Sequence, residues 1–128
     1  SVLISRIDAL RIVRQVEKWF RANMGVNKRK KYDPLITYYK SYEDDTDMGE
    51  YRYWDNEIIV YYNNCRTVGN LIRTIVHEWQ HQLQPMTKYE KIHNEVGYEE
   101  HPFEKEAEAV ERKNYKQVWK HIKPTINK

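Results

Sequence analysis

Cysteine is almost missing from this chain: one residue, Cys65, in 128. That excludes an internal disulfide and any zinc cluster built on paired cysteines. Small secreted domains usually carry disulfides, so the lack points to a reducing interior and a cytoplasmic location, with secretion left open. No apolar run approaches membrane-spanning length, so no membrane partner is expected. The opening Val2-Leu3-Ile4 is too short for the core of a signal peptide and leads straight into a helical pattern. Charge of one sign is also scarce, with 22 Lys and Arg against 19 Asp and Glu. The net +3 attracts an acidic partner only weakly. With four glycines and four prolines there is no repeat, low-complexity tract or linker, so residues 1–128 read as one domain.

Present instead are 40% hydrophobic residues, including eleven tyrosines and four tryptophans, enough for a packed core with both sheet and helix. Ala9, Ile12, Val13, Val16, Trp19 and Phe20 recur at helical spacing, predicting a helix from about Ser5 to Met24 that Gly25 and Asn27 end. The run Lys28-Arg29-Lys30-Lys31 follows as a solvated loop. Strands are expected at Leu35–Tyr39, Gly49–Trp54 and Glu57–Tyr62, the last two a hairpin turning at Asp55-Asn56. The acidic Glu43-Asp44-Asp45-Thr46-Asp47 reads as a solvated turn, without the spacing of a calcium loop. A helix N-capped by Thr67 should end before Pro85. After a long loop, a last helix should run from Pro102 to about Ile122, ended by Pro124.

The fifth of these elements, the helix capped by Thr67, carries His77-Glu78-Trp79-Gln80-His81, the pattern H-E-x-x-H. One helical turn separates the two histidines, so both imidazoles can reach one tetrahedral ion, with Glu78 beside it as a base for an activated water. At about 100° per residue, both histidines sit nearly opposite the apolar stripe of Val68, Leu71, Ile72, Ile75, Val76, Trp79 and Leu83. That argues against core histidines satisfied by local hydrogen bonds.

A catalytic zinc needs a third protein ligand. Downstream candidates are His93, Glu95, His101, Glu104, Glu106 and Glu108. The metzincin spacing requires glycine and histidine where Gln84 and Thr87 stand, which excludes that class. On the last helix Glu104, Ala107, Glu108 and Glu111 share a face, and the small Ala107 permits close approach to the motif helix. Glu104 can then reach the metal, and Glu108 can accept a hydrogen bond from a ligating imidazole. Tyr98, His93 and Tyr89 are alternative donors to a developing oxyanion.

H-E-x-x-H followed about twenty residues later by Glu104-Lys105-Glu106-Ala107-Glu108 resembles the gluzincin metallopeptidases, and the short chain and element order resemble the minigluzincins. The resemblance covers about Leu35 to Glu111. It implies an α+β, zincin-like domain in which an N-terminal helix, a three-stranded twisted sheet, an active-site helix and a C-terminal glutamate-bearing helix surround the site. It further implies Zn2+ on His77, His81 and Glu104, and peptide-bond hydrolysis by a zinc-activated water with Glu78 as general base. A polypeptide substrate would add as an extended strand along Gly49–Tyr53. The second resemblance is to SprT-like zinc proteins, nucleic-acid-associated proteases with a third histidine near the position of His101-Pro102; those often continue into a cysteine-rich ribbon that one cysteine does not build. The remaining alternative is a non-catalytic metal-binding module. The segment beyond Trp119 is read as a tail that could lie in the cleft as an inhibitor.

Overall fold

The computed structural model describes residues 5–41 and 46–126. Val2, Leu3, Ile4, Glu43, Asp44 and Asp45, named in the expectations above, and the last two residues of the segment beyond Trp119 lie outside them. The first helix, α1 (Arg6–Asn23), begins where Ser5 Oγ accepts from the Asp8 amide at 3.1 Å. It ends as Gly25 takes φ +81° and the Met24 and Gly25 amides both donate to the Phe20 carbonyl.

Strands β1 (Leu35–Tyr39), β2 (Gly49–Arg52) and β3 (Glu57–Tyr61) form a sheet of order β1-β3-β2. The apolar run Ile58-Ile59-Val60 is buried throughout and so takes the centre, parallel to β1 and antiparallel to β2. The expected hairpin is present, with Asn56 left-handed (φ +55°) in its turn. Asn56 is also a buried tie: its amide donates to the Tyr32 carbonyl at 2.7 Å and its carbonyl accepts from the Tyr51 hydroxyl. β2 is shorter than expected because Tyr53 and Trp54 already belong to the turn. It is an edge strand, and Gly49 explains how it lies so close to the helix beneath. A Cβ there would come within 2.6 Å of Thr74 Cγ2 and 2.9 Å of the Ile59 carbonyl oxygen.

A single turn, α2 (Tyr62–Cys65), leads into α3 (Val68–Gln82), capped by Thr67 as its sequence suggests. The segment expected to be a long loop contains a 3₁₀ turn (Met86–Lys88) and α4 (Tyr89–Val96), closed by Gly97 at φ +79°. The last helix, α5 (Pro102–Ile126), extends past the predicted stop, with Pro124 inside it and exposed near its end. A proline there removes one hydrogen bond where water can replace it. As far as Ile126 the segment beyond Trp119 is therefore helix, with Ile122 in the core, and not a tail over the cleft.

α3 contacts α1, α5, β2 and β3, and one continuous core of α1, α3, β3 and α5 side chains surrounds it. Trp79 stacks on Phe20 and its indole donates to the Gly25 carbonyl at 3.0 Å, fastening α3 to the end of α1. The described chain is thus α+β, and no described helix is long and apolar enough to cross a membrane. Cys65 is buried and unpaired. In the basic run, Lys30 lies over the Tyr51 ring at 5.6 Å while Lys28, Arg29 and Lys31 are exposed.

Candidate metal centre

α3 and α5 pack antiparallel: His81 meets Glu104, His77 lies between Glu104 and Glu111, and Gly69 lies under Tyr115. The histidine face of α3 is therefore covered rather than solvent-facing, and His81 is only 3% exposed. Helical spacing places His77 and His81 off the apolar stripe, but α5 closes over that face and makes α3 buried nearly all round.

Glu104, in the first turn of α5, is the meeting point. Its Oε1 accepts from His77 Nε2 at 2.7 Å and from His81 Nε2 at 3.2 Å, and its Oε2 accepts from the Tyr89 hydroxyl. Ala107, fully buried, is the small residue of α5's packed face. Donor atoms of His77, Glu78 and His81 also lie within 4.8 Å of one another, so two carboxylates compete for a third ligand place. Glu104 is the closer to both imidazoles, and its spacing is near the roughly 3.3 Å that separates ligands of a tetrahedral zinc. Two imidazole nitrogens and a carboxylate oxygen converging on one point are a donor set that fits zinc.

Gln84 decides which nitrogen of His81 faces that point. Its amide NH2 donates to the Phe103 carbonyl and to Glu106 Oε1, both at 3.0 Å, so its carbonyl oxygen faces His81 Nδ1 at 2.6 Å. Nδ1 must therefore carry a proton, so the proton Nε2 shares with Glu104 is the one a metal would displace, and Nε2 is the nitrogen that would bind it. The same three bonds join the end of α3 to the first turn of α5. A sequence signal existed, since Gln84 is three residues past His81, but nothing in the pattern H-E-x-x-H points to it. Gln84→Leu is expected to lower zinc affinity about 10- to 100-fold in chelator competition and to move the imidazole 15N shifts of His81 toward the other tautomer. Unchanged shifts and affinity would show that Gln84 only fills space.

The carboxylate beside His77 Nδ1 is that of Glu111, at 3.7 Å, rather than Glu108. Seven residues fall about 20° short of two helical turns, whereas four overshoot one turn by about 40°, so Glu111 stays nearer the line of Glu104. Glu108 makes none of the described hydrogen bonds or ion pairs; its charge acts on Tyr98.

His101 is committed elsewhere. It N-caps α5, with Nδ1 accepting from the Phe103 amide at 3.1 Å and Nε2 donating to the Tyr89 carbonyl at 3.0 Å. Its ring is fully buried and stacked on Tyr89 at 4.0 Å. Both nitrogens are thus used, and neither faces Glu104.

A cleft of about 560 Å3 opens on this cluster, bounded by β2, Tyr53 and Trp54 on one side and by Met86, Tyr89 and Tyr98 on the other. Glu78 lies at its floor, 9% exposed. Burial raises its pKa, an effect the two imidazoles oppose. His93 is exposed and stacks at 6.2 Å on Tyr89, outside the residues that line the cleft. Tyr98 does line it, and burial, followed by the charges of Glu104, Glu108 and Glu78, pushes its phenol up to about 12, so it stays a donor at neutral pH.

Burial opposes charge on His77, but the bond to Glu104, then Glu111 and Glu78, overrides it and lifts the pKa to about 10. Burial likewise opposes ionisation of Glu104, yet His77, His81 and Tyr89 hold it well below the usual carboxylate range. Unfolded histidine titrates near about 6.5. The His77 contribution to stability of the metal-free protein is thus complete below about pH 6.5 and is lost as pH rises toward 10; the Glu104 contribution is lost only in strong acid. Chelator-treated protein should lose on the order of 2 kcal/mol between pH 6 and 9.5, read as a falling melting temperature. A flat or rising profile would contradict the ion pair.

Comparison of the chain with models of protein families, with curated proteins and with solved structures found no match in any of the three.

Proposed function

We propose that this chain is a zinc-dependent metallopeptidase with a gluzincin-like site on a small zincin-like domain. His77, His81 and Glu104 hold the ion and Glu78 is the general base. The observation that carries the reading is the convergence of Glu104 Oε1 on both imidazole Nε2 atoms, with Glu78 on the floor of a cleft beside a free sheet edge. The zinc supplies Lewis acidity, polarising the scissile carbonyl and making water a stronger acid.

The chain's own residues supply the rest. Glu78, its basicity raised by burial, takes the proton from the attacking water and returns it to the departing amine. Tyr98, protonated and lining the cleft, donates to the oxyanion as charge develops. Tyr89 has its hydroxyl on Glu104 and serves to orient that carboxylate. Gly49–Arg52 offers backbone groups to an extended substrate strand. With both nitrogens of His101 engaged, the histidine arrangement of the SprT-like alternative has less support.

The test is elemental analysis together with proteolysis. One zinc per chain and slow, chelator-sensitive cleavage of an unfolded polypeptide are expected. Stoichiometric zinc without any cleavage would favour the non-catalytic metal-binding module.

A further inference from the structure

We propose that Arg73 forms a subsite for a carboxylate on the substrate, one or two residues beyond the bond to be cleaved. The inference rests on the peptidase reading above and adds a substrate class to it.

Arg73 lies one turn before His77 on α3. Its guanidinium sits over the Tyr115 ring at 4.4 Å, a stacking that fixes its plane and leaves its edge free. It lines two adjoining recesses. The inner one, about 230 Å3, is shared with Gly49, Thr74, His77, Glu78, Tyr98 and Glu111, so it is part of the candidate site and carries two carboxylates of its own. The outer one, about 350 Å3, gathers Arg73, Arg112 and Lys116 against a single carboxylate, Glu111, which lies near His77 Nδ1. Arg73 forms no ion pair with any described carboxylate, whereas Arg21 and Arg52 each pair with two.

The direction of the cleft gives this cation its place. Gly49 lies against Thr74 and Glu78, and Tyr51 lies 6.4 Å from the His81 ring, so β2 and α3 run the same way. A substrate strand antiparallel to β2 enters over Tyr53 and Trp54 and leaves past Gly49, with its C-terminal half at Arg73. Four residues of helix span about 6 Å, and an extended peptide advances about 3.3 Å per residue. A group within two residues of the scissile bond therefore reaches the guanidinium. Its planar fork matches a carboxylate, supplied either by an aspartate or glutamate side chain or by a free C-terminus.

Two pairs of peptides separate these sources on the zinc-loaded protein. One pair differs by aspartate against asparagine at the second residue past the cleaved bond; the other ends there, as a free acid or an amide. We expect about tenfold higher kcat/KM for the carboxylate member of at least one pair, shrinking with added salt. In Arg73→Gln the ratio should fall toward one, and Arg73→Lys should keep part of it. Equal rates within both pairs, or a preference that survives in Arg73→Gln, would overturn the subsite. Fluorescence anisotropy of the same labelled peptides on zinc-loaded Glu78→Gln reads binding without turnover. If the parent cleaves nothing, the peptidase reading fails, while this measurement still decides on Arg73: carboxylate peptides binding no better than amides rejects it.

Discussion

Glu78→Gln should keep one zinc per chain and cleave peptide about a thousandfold more slowly than the parent, the scale of a lost general base. Glutamine matches glutamate in size, so the packing of Thr74, Gly49 and the cleft floor is preserved; what is lost is the capacity to take a proton. The variant also settles the competition between carboxylates at the metal centre. Glu78 lies within 4.8 Å of both histidine donors, close enough for a ligand, whereas Glu104 accepts from both imidazoles directly. Retained zinc with lost cleavage separates base from ligand. Lost zinc would move Glu78 into the ligand set, and full cleavage would remove the catalytic reading altogether.

The second large effect is expected at Glu104. Glu104→Ala removes the one side chain that, among the described residues, hydrogen-bonds both imidazoles, and should weaken zinc binding by more than about a hundredfold, beyond the usual effect of an outer-sphere partner. His101→Ala is the informative contrast. It should bind zinc within a few-fold of the parent yet lose about 2–4 kcal/mol of stability, since it removes a helix cap and a stacked ring and leaves the Tyr89 carbonyl without its donor. Zinc titration and denaturant unfolding, run on both variants, separate the two roles. Zinc lost in His101→Ala and kept in Glu104→Ala would replace the proposed ligand set.

Much of this architecture was legible because its signals are local. Ser5 and Thr67 cap their helices through side-chain oxygens, and the hairpin is where it was expected, although its turn spans four residues from Tyr53 to Asn56 rather than Asp55-Asn56 alone. Spacing alone also brought His77, His81 and Glu104 into consideration. What escaped depends on the packing of distant segments. Whether Glu108 or Glu111 faces His77 follows from the antiparallel course of α3 and α5, and helical spacing within α5 admits either. The two commitments of His101 require Tyr89 to be at hand, and Tyr89 sits on a helix that no buried residue announces. Its pattern of Tyr89, Ile92 and Val96 was present in the sequence, though short and surrounded by charge. Pro124 misled for the converse reason: a proline costs a helix less where it stands exposed close to the end.

α4 has no core of its own; none of its residues is buried. It is tethered at its start, where the Tyr89 hydroxyl reaches Glu104 and the Tyr89 carbonyl holds His101. A segment without buried residues is held by little else, and hydrogen exchange should find α4 the least protected of the longer helices. When it opens, Tyr89 leaves the Glu104 carboxylate, the cap of α5 loses its brace, and one wall of the cleft swings away in the same event. In the proposed peptidase, access to the cleft and the orientation of Glu104 would thus be a single degree of freedom, set by whether one short helix is docked.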